Sequence, residues 1–167
     1  MGRAAKALIA LVVAGLLTLS GCAGQNPNHA ASIDGVAIPV SEVEAMLPVL
    51  TPYLQNPSVA TVTSVLVTTR IGAEVARQQQ LEFTAEQREA AAASVMPPEL
   101  AADPQAASFA TDYVTTALVS EKLGQDAFLA AVAKLDVVVN PRYGTWDASH
   151  AAVVPGTGSL SDPAPAS

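Results

Sequence analysis

The stretch SIDGVAI, residues Ser32–Ile38, decides the fold, because it predicts a β-hairpin at the head of a region whose remaining pattern is mostly helical. Its centre is Asp34-Gly35. An Asp-Gly pair between apolar residues is a strong hairpin signal, since glycine adopts a positive φ without steric cost. Pro39 follows the hairpin and has no backbone N–H to donate, so strand pairing is expected to end there.

A second β segment is predicted almost a hundred residues later. Leu135–Val139 is rich in β-branched residues, and Asn140-Pro141 with Gly144 indicates a turn after it. We expect this late strand to pair with the strand near Ile33. That pairing would close both ends of the domain into one unit.

Two helices are predicted directly after the hairpin. Ser41 and Glu44 form a capping-box pattern that opens a helix towards Leu54. Ser58 is the expected N-cap of a second helix, which runs over 59–81. Its first half, residues 59–69, is β-branched and also fits a strand, although the length of the segment favours helix.

Three more helices complete the pattern. Thr84 and Gln87 form a second capping box for a helix through Val95, and Asp103-Pro104 opens a helix to about Leu123. A short helix is expected over 126–133. The predicted fold class is therefore mainly α, a helical bundle with a small two- or three-stranded β element joining the N- and C-terminal ends of the domain.

The N-terminus has the pattern of an export signal. Arg3 and Lys6 precede an apolar run, residues 7–17, which is shorter than the ~20 apolar residues that a spanning helix needs. The following Leu19-Ser20-Gly21-Cys22 resembles the bacterial lipobox, in which the cysteine takes a diacylglycerol and a signal peptidase cleaves before it. The resemblance implies lipidation of Cys22, with acyl chains such as palmitate as anchor. The alternative is a buried cysteine in an N-terminal membrane helix.

Composition divides the chain into four parts. Residues 1–21 are predicted to be a lipoprotein signal peptide and 22–30 a polar tether. Residues 31–147 are the expected folded domain, and 148–167, rich in Pro, Gly, Ser and Ala, a disordered tail. The expected location is the extracytoplasmic face of the cell membrane, with the protein held there by lipid.

The charge balance excludes one class of partner. The chain has 8 Lys and Arg against 15 Asp and Glu, a formal net charge of −7, and removal of the signal takes away two more cations. A nucleic-acid-binding protein needs a basic footprint, so nucleic acid is not an expected partner.

The order of elements resembles the N-terminal chaperone domain of SurA/PrsA-type foldases, most closely the actinobacterial SurA-N-like lipoproteins. The residues that carry the resemblance are Ile33-Asp34-Gly35 with 40–43 (VSEV), and 139–144 (VNPRYG) near the end. Fuller members carry a parvulin-type prolyl isomerase domain of roughly 90–100 residues. Fewer than thirty residues remain here after Asn140, so a parvulin domain is not expected.

The resemblance implies holding of unfolded or partly folded exported polypeptides, without isomerase activity. Met46, Met96, Tyr143 and Trp146 are the candidate groove residues, because methionine adapts to varied partners and Tyr and Trp combine apolar area with a polar tip. The alternatives are that the two methionines are core residues and that Tyr143 and Trp146 cover the core beside a turn. The alternative function is a structural or adaptor lipoprotein that docks on one specific envelope partner.

The residue pattern offers no catalytic constellation, so an enzyme is not expected. His29 and His150 have no ligand cluster at metal-binding spacing, and neither a metal nor a cofactor is predicted. Glu42 and Glu44 are two residues apart at a helix start, where capping and the helix dipole account for them.

Overall fold

The structure is a computed structural model that describes residues 26–155, a bundle of helices flanked by two small β-sheets. The predicted signal peptide, Cys22 and residues 156–167 lie outside the described residues. The helices are α1 (Val40–Leu50), α2 (Val59–Gln78), α3 (Ala85–Val95), α4 (Pro98–Ala101), α5 (Ala107–Leu123) and α6 (Gln125–Val132). The strands are β1 (His29–Ile33), β2 (Val36–Pro39), β3 (Val137–Val139), β4 (Thr145–Asp147) and β5 (Ala152–Val154). The predicted fold class, mainly α with a small β element, is confirmed.

The β element joins the two ends of the domain as predicted. Strands β1 and β2 form the hairpin, with φ of 49° at Asp34 and 79° at Gly35. Strand β3 pairs antiparallel with the other edge of β1, with Ile33 opposite Val137, and gives the sheet order β2-β1-β3. The early and late segments therefore belong to one sheet.

Helix α1 differs from its prediction at both ends. It begins at Val40 with Pro39 as N-cap and no side-chain cap, so the predicted Ser41–Glu44 capping box is wrong. The reason is that β2 continues directly into the helix, and the Val40 N–H donates to the carbonyl of Asn28 at 2.8 Å. The helix ends at Leu50, and residues 51–53 form a 3₁₀ turn instead of a further α-turn.

The ambiguous segment 59–69 is helical. It belongs to α2, whose N-cap Ser58 accepts a hydrogen bond from the Thr61 N–H at 3.1 Å, as predicted. Threonine hydroxyls of α2 donate hydrogen bonds to backbone carbonyls one turn earlier: Thr63 to Val59 at 2.8 Å and Thr68 to Ser64 at 2.9 Å. These bonds satisfy the hydroxyls inside the helix, which lowers the cost of its β-branched residues.

Helix α2 is the central element of the core. It contacts α1, α5, α6 and strands β1 and β5, and its buried residues are Val62, Thr63, Leu66, Val67, Thr69, Ile71, Gly72, Val75 and Ala76. Its length and hydropathy are also those of a membrane-spanning helix, but half of its most apolar window is buried inside the protein. Such burial is typical of a core helix.

The later helices follow the sequence signals closely. The Thr84–Gln87 capping box is present at the start of α3, which ends at Val95 as predicted. Asp103 caps a 3₁₀ turn over Pro104–Ala106 by accepting from the Gln105 N–H at 2.8 Å. The α-helix therefore begins only at Ala107, three residues later than Pro104.

Both predicted domain boundaries need correction. Strand β1 begins at His29, inside the predicted tether. The prediction of disorder from residue 148 is wrong for residues 148–155, because β4 and β5 form an antiparallel hairpin with Thr145 opposite Val154. The turn between them closes on Asp147, whose Oδ1 accepts from the Ser149 N–H at 2.9 Å. The residues at 148–151, whose composition indicated disorder, form the turn between β4 and β5.

Candidate functional site

An apolar groove opens beside the C-terminal end of α1. It has a volume of about 270 Å³ and lies among the end of α1, the turn that follows it, α2, the segment that links α3 to α4, and α5. We call it the tyrosine groove. Its lining residues are Leu50, Tyr53, Leu54, Val65, Val95, Met96, Pro97, Leu100, Phe109 and Tyr113. None of them carries a charge.

The rim of the tyrosine groove is exposed apolar surface. Tyr53 is 41% exposed, and Val95 and Tyr113 are each 36% exposed. These three are half of the large exposed apolar residues in the part of the chain that the structure describes; the others are Val36, Val138 and Val154. Exposed apolar residues that cluster at a concave surface mark a binding site more reliably than scattered ones do.

Two breaks in helical structure build the rim. The first is the 3₁₀ turn after α1, which contains Pro52 and places Tyr53 at the surface. The second is the segment Met96-Pro97-Pro98, which ends α3 and turns the chain into α4. Across from them, Phe109 and Tyr113 occupy one face of α5 four residues apart, with ring centroids at 5.6 Å.

Helix α3 separates two further grooves along α5. One has a volume of about 320 Å³ and shares Met96 with the tyrosine groove; it also contains Arg88 and Val114. The other, of about 600 Å³, lies between α3 and the C-terminal part of α5 and includes Phe83 and Lys122. No residue of α3 itself is buried, because its alanine-rich sequence offers little apolar area to the core.

The structure places the four candidate groove residues in different surroundings. Met96 is buried and lines the tyrosine groove. Met46 is buried in the core, whereas Tyr143 and Trp146 are half-buried and pack against the core from the β end of the domain. None of these three lines the tyrosine groove.

The alternative for Tyr143, a turn held by local hydrogen bonds, agrees with the contacts. Its N–H donates to the carbonyl of Asn140 at 2.9 Å, and the Asn140 side chain accepts from the Arg142 N–H at 3.1 Å. Sequence reasoning missed Tyr53 and Tyr113. The i, i+4 spacing of Phe109 and Tyr113 was an available signal for one apolar face, but exposure of Tyr113 depends on how α4 and the turn after α1 pack.

An ion cluster ties together α1, α2 and α5, three of the helices that form the groove. The Arg70 guanidinium of α2 donates to Glu42 of α1 at 2.8 Å and contacts Asp112 of α5 at 2.9 Å. Burial raises the pKa of Asp112 above its usual value, the attraction of Arg70 opposes that rise, and Glu42 adds to it. The cluster therefore holds two carboxylates around one guanidinium, and one of these carboxylates, Asp112, directly precedes the groove residue Tyr113.

We expect Arg70→Met to lower the free energy of unfolding by about 1–2 kcal/mol at neutral pH. Removing one partner of a fully buried ion pair costs roughly 3–5 kcal/mol, and the loss is smaller here because Arg70 and both carboxylates keep about a quarter of their surface exposed. Without Arg70 the pKa of Asp112 should rise further. The folded state then binds more protons than the unfolded state, so the deficit should shrink as the pH falls through that pKa towards its ordinary value.

Urea unfolding of the wild type and Arg70→Met at pH 7 and at lower pH measures this effect. Arg77→Met is the matched control, because Arg77 pairs with Glu74 on its own helix and is 70% exposed at its side chain. Equal losses for the two variants at every pH would show that the cluster does not stabilise the contact between the helices.

A serine, a histidine and an aspartate meet on the β4–β5 turn without forming a nucleophilic site. His150 Nδ1 lies 2.8 Å from Asp147 Oδ2 and 3.0 Å from Ser149 Oγ, while the Ser149 hydroxyl donates to Asp147 Oδ1 at 2.6 Å. A catalytic triad needs the serine and the aspartate on opposite ring nitrogens. The hydrogen bond from Ser149, followed by that from His150, lowers the pKa of Asp147 to about 2, which fits a turn closed by a carboxylate.

The described residues contain no group of three or more metal-ligating side chains. Comparison of the chain with protein-family models, with curated proteins and with solved structures gave no match.

Proposed function

We propose that the protein is a lipid-anchored, chaperone-like holdase that binds apolar segments of unfolded exported polypeptides at the extracytoplasmic face of the membrane, without isomerase activity. One observation carries the proposal: the tyrosine groove is open, uncharged, and rimmed by exposed Tyr53, Val95 and Tyr113. A segment that buries a few apolar side chains there removes apolar surface from water on both partners.

The chemistry of the rim favours varied sequences. Tyrosine presents a large apolar ring at low entropic cost and keeps its hydroxyl available to water or to a backbone group of the bound segment. Met96 at the floor is unbranched and polarizable, so it adapts to side chains of different shape. A groove of this kind recognises apolar character more than a fixed motif.

The location rests on the lipobox-like sequence ending in Cys22. Between this cysteine and β1, which begins at His29, the chain has six residues. Residues 26–29 form a turn in which the His29 N–H donates to the Asn26 carbonyl at 2.9 Å, so the four residue steps from an anchored Cys22 to Asn26 set the reach. At ~3.3–3.6 Å per residue of extended chain, these steps span at most about 14 Å. The domain would then meet its clients close to the membrane surface, where exported chains emerge.

The test is suppression of aggregation by the full chain in lipid nanodiscs, with two unrelated, chemically unfolded clients and empty nanodiscs as the blank. We expect Tyr53→Ser/Tyr113→Ser to need about tenfold more protein for the same protection, because it removes most of the exposed aromatic rim. Val36→Ser/Val154→Ser is the matched control, since it removes exposed apolar residues elsewhere and should leave protection unchanged. Circular dichroism verifies that both variants are folded.

Three results would contradict the proposal. Unchanged protection by the tyrosine variant would exclude the tyrosine groove as the binding site. Absence of protection by the wild type, with one envelope protein co-purifying at fixed stoichiometry, would favour the adaptor. Prolyl isomerase turnover by the purified chain would refute the claim that it lacks that activity.

A further inference from the structure

We propose that the tyrosine groove selects apolar segments that are flanked by lysine or arginine; this inference rests on the proposed function. The charge distribution around the groove points to it. Every lining residue falls within two stretches of the chain, 42–69 and 89–121, and neither stretch contains a lysine or an arginine. Both contain acidic residues.

The acidic groups lie on the elements that form the groove. Glu99 is exposed on α4, directly before the lining residue Leu100, and Asp103 lies three residues further on. On the opposite side, Asp112 precedes Tyr113 and belongs to the ion cluster, in which two carboxylates face the single charge of Arg70. The charged residues within these two stretches are therefore all acidic, and the single charge of Arg70 balances only one of the two carboxylates that it contacts.

The cations of the neighbouring surface are held elsewhere. Arg88 lines the adjacent groove, but its Nη1 donates to Thr115 Oγ1 at 3.1 Å and its guanidinium lies 6.0 Å from the centroid of the Phe83 ring. Lys122 lies 5.4 Å from the same ring. Both contacts keep these cations near Phe83, which does not line the tyrosine groove.

A groove with an apolar floor and acidic residues around it discriminates between peptide segments by two separate effects. Burial of apolar side chains supplies affinity that is indifferent to charge. Flanking cations on the bound segment add several weak attractions, whereas flanking carboxylates meet like charges and their binding is disfavoured. Such exposed pairs are individually small and are screened by salt, so the preference should be about tenfold at low ionic strength and should fall as salt is added.

The experiment measures fluorescence anisotropy of labelled peptides with the full chain in phosphatidylcholine nanodiscs, whose zwitterionic lipid does not itself attract cations. Four peptides share one length: an apolar centre flanked by lysines, the same centre flanked by glutamates, the same centre flanked by serines, and a serine centre flanked by lysines. We expect the lysine-flanked apolar peptide to bind about tenfold more tightly than the glutamate-flanked one. The serine-centred peptide should not bind.

Matched charge variants locate the effect. Glu99→Gln/Asp103→Asn removes two charges beside the groove and keeps an oxygen at position 103 to cap the following turn. Glu82→Gln/Asp126→Asn makes the same change on residues outside the two stretches of chain that contain the lining residues. The first variant should reduce the lysine preference to about threefold or less, and the second should leave it unchanged.

The outcomes separate this inference from the proposed function. Equal binding of the three apolar-centred peptides would overturn the charge selection and leave the holdase intact. Binding of the serine-centred peptide, or equal effects of the two charge variants, would show a general electrostatic surface and overturn the inference. Failure of every apolar-centred peptide to bind would overturn the proposed function and this inference with it.

Discussion

Replacing Gly72 with alanine is expected to lower the free energy of unfolding by about 2–3 kcal/mol, because the Thr116 side chain of α5 packs directly against this glycine of α2. A Cβ added at position 72 would lie 2.1 Å from Thr116 Oγ1 and 2.5 Å from Thr116 Cβ. Alanine is about 1 kcal/mol better than glycine inside a helix, so the overpacking has to exceed that gain. At these distances it does, since real atoms do not approach so closely.

Thr116 cannot give way by a simple rotation. Its Oγ1 lies 2.8 Å from the carbonyl oxygens of both Thr69 and Asp112, between which it shares its one proton. Rotation about χ1 would break these contacts and would leave the Cβ where it is. The added methyl therefore has to push the two helices apart along a contact that contributes much of the core.

Thermal or urea unfolding of Gly72→Ala, Thr116→Gly and the double variant measures the effect. The double variant has no Thr116 side chain for the alanine to clash with. It should therefore be slightly more stable than Thr116→Gly, because alanine has a better helix propensity than glycine. We expect a coupling of at least 1–2 kcal/mol between the two sites. Additive losses would mean that the helices are not in contact at Gly72 and Thr116.

The sequence allowed most helix limits to be predicted where a local hydrogen bond fixes them. Ser58 and Thr84 each cap their own helix through a contact three residues away, so the signal and its cause lie in the same few residues. Ser41 shows the opposite case. A strand leads straight into α1, and the pairing of Val40 with Asn28 replaces the expected side-chain cap.

The tyrosine groove was not predictable in the same way. Its lining residues come from 50–65 and 95–113, and these two stretches meet only through the packing of the helices. Met96 was identified from its residue type, whereas Tyr53 was missed because the helix was expected to continue through it. Residue type indicates what a side chain can do, but exposure follows from packing between distant segments.

Asp34 joins the hairpin to the residue that directly precedes β3. Its Oδ1 accepts from the Asp136 N–H at 2.7 Å, its Oδ2 accepts from the Gln78 side chain at 2.6 Å, and its own N–H donates to the Asp136 carbonyl at 2.8 Å. The hairpin signal predicted a turn at Asp34. The contacts of Asp34 with Gln78 and Asp136, which are 44 and 102 positions away along the chain, were not visible in the sequence.

Asp34→Ala should lower the free energy of unfolding by about 2–3 kcal/mol. Two accepted hydrogen bonds are lost, each worth roughly 1 kcal/mol or less at an exposed site. Alanine must also adopt the positive φ of 49°, which aspartate tolerates and which costs a residue with an ordinary Cβ about 1–2 kcal/mol. Since this residue connects β1, β3 and α2, the loss should be cooperative and not confined to the hairpin.

Two companion variants separate the causes. Asp34→Asn keeps a carbonyl acceptor and tolerates the left-handed conformation, so it should be the mildest. Asp34→Gly removes the strain but not the loss of acceptors, and should fall between Asn and Ala. Amide hydrogen exchange at Asp136 supplies a local measure, because its N–H loses its acceptor in both Gly and Ala variants and should exchange faster in each. Two results would contradict this account: Asp34→Ala being no less stable than Asp34→Asn, or unchanged exchange at Asp136. Either result would mean that the contact between Asp34 and Asp136 does not help to hold β3 against the hairpin. Pairing of β1 with β3 would then have to account for that closure alone.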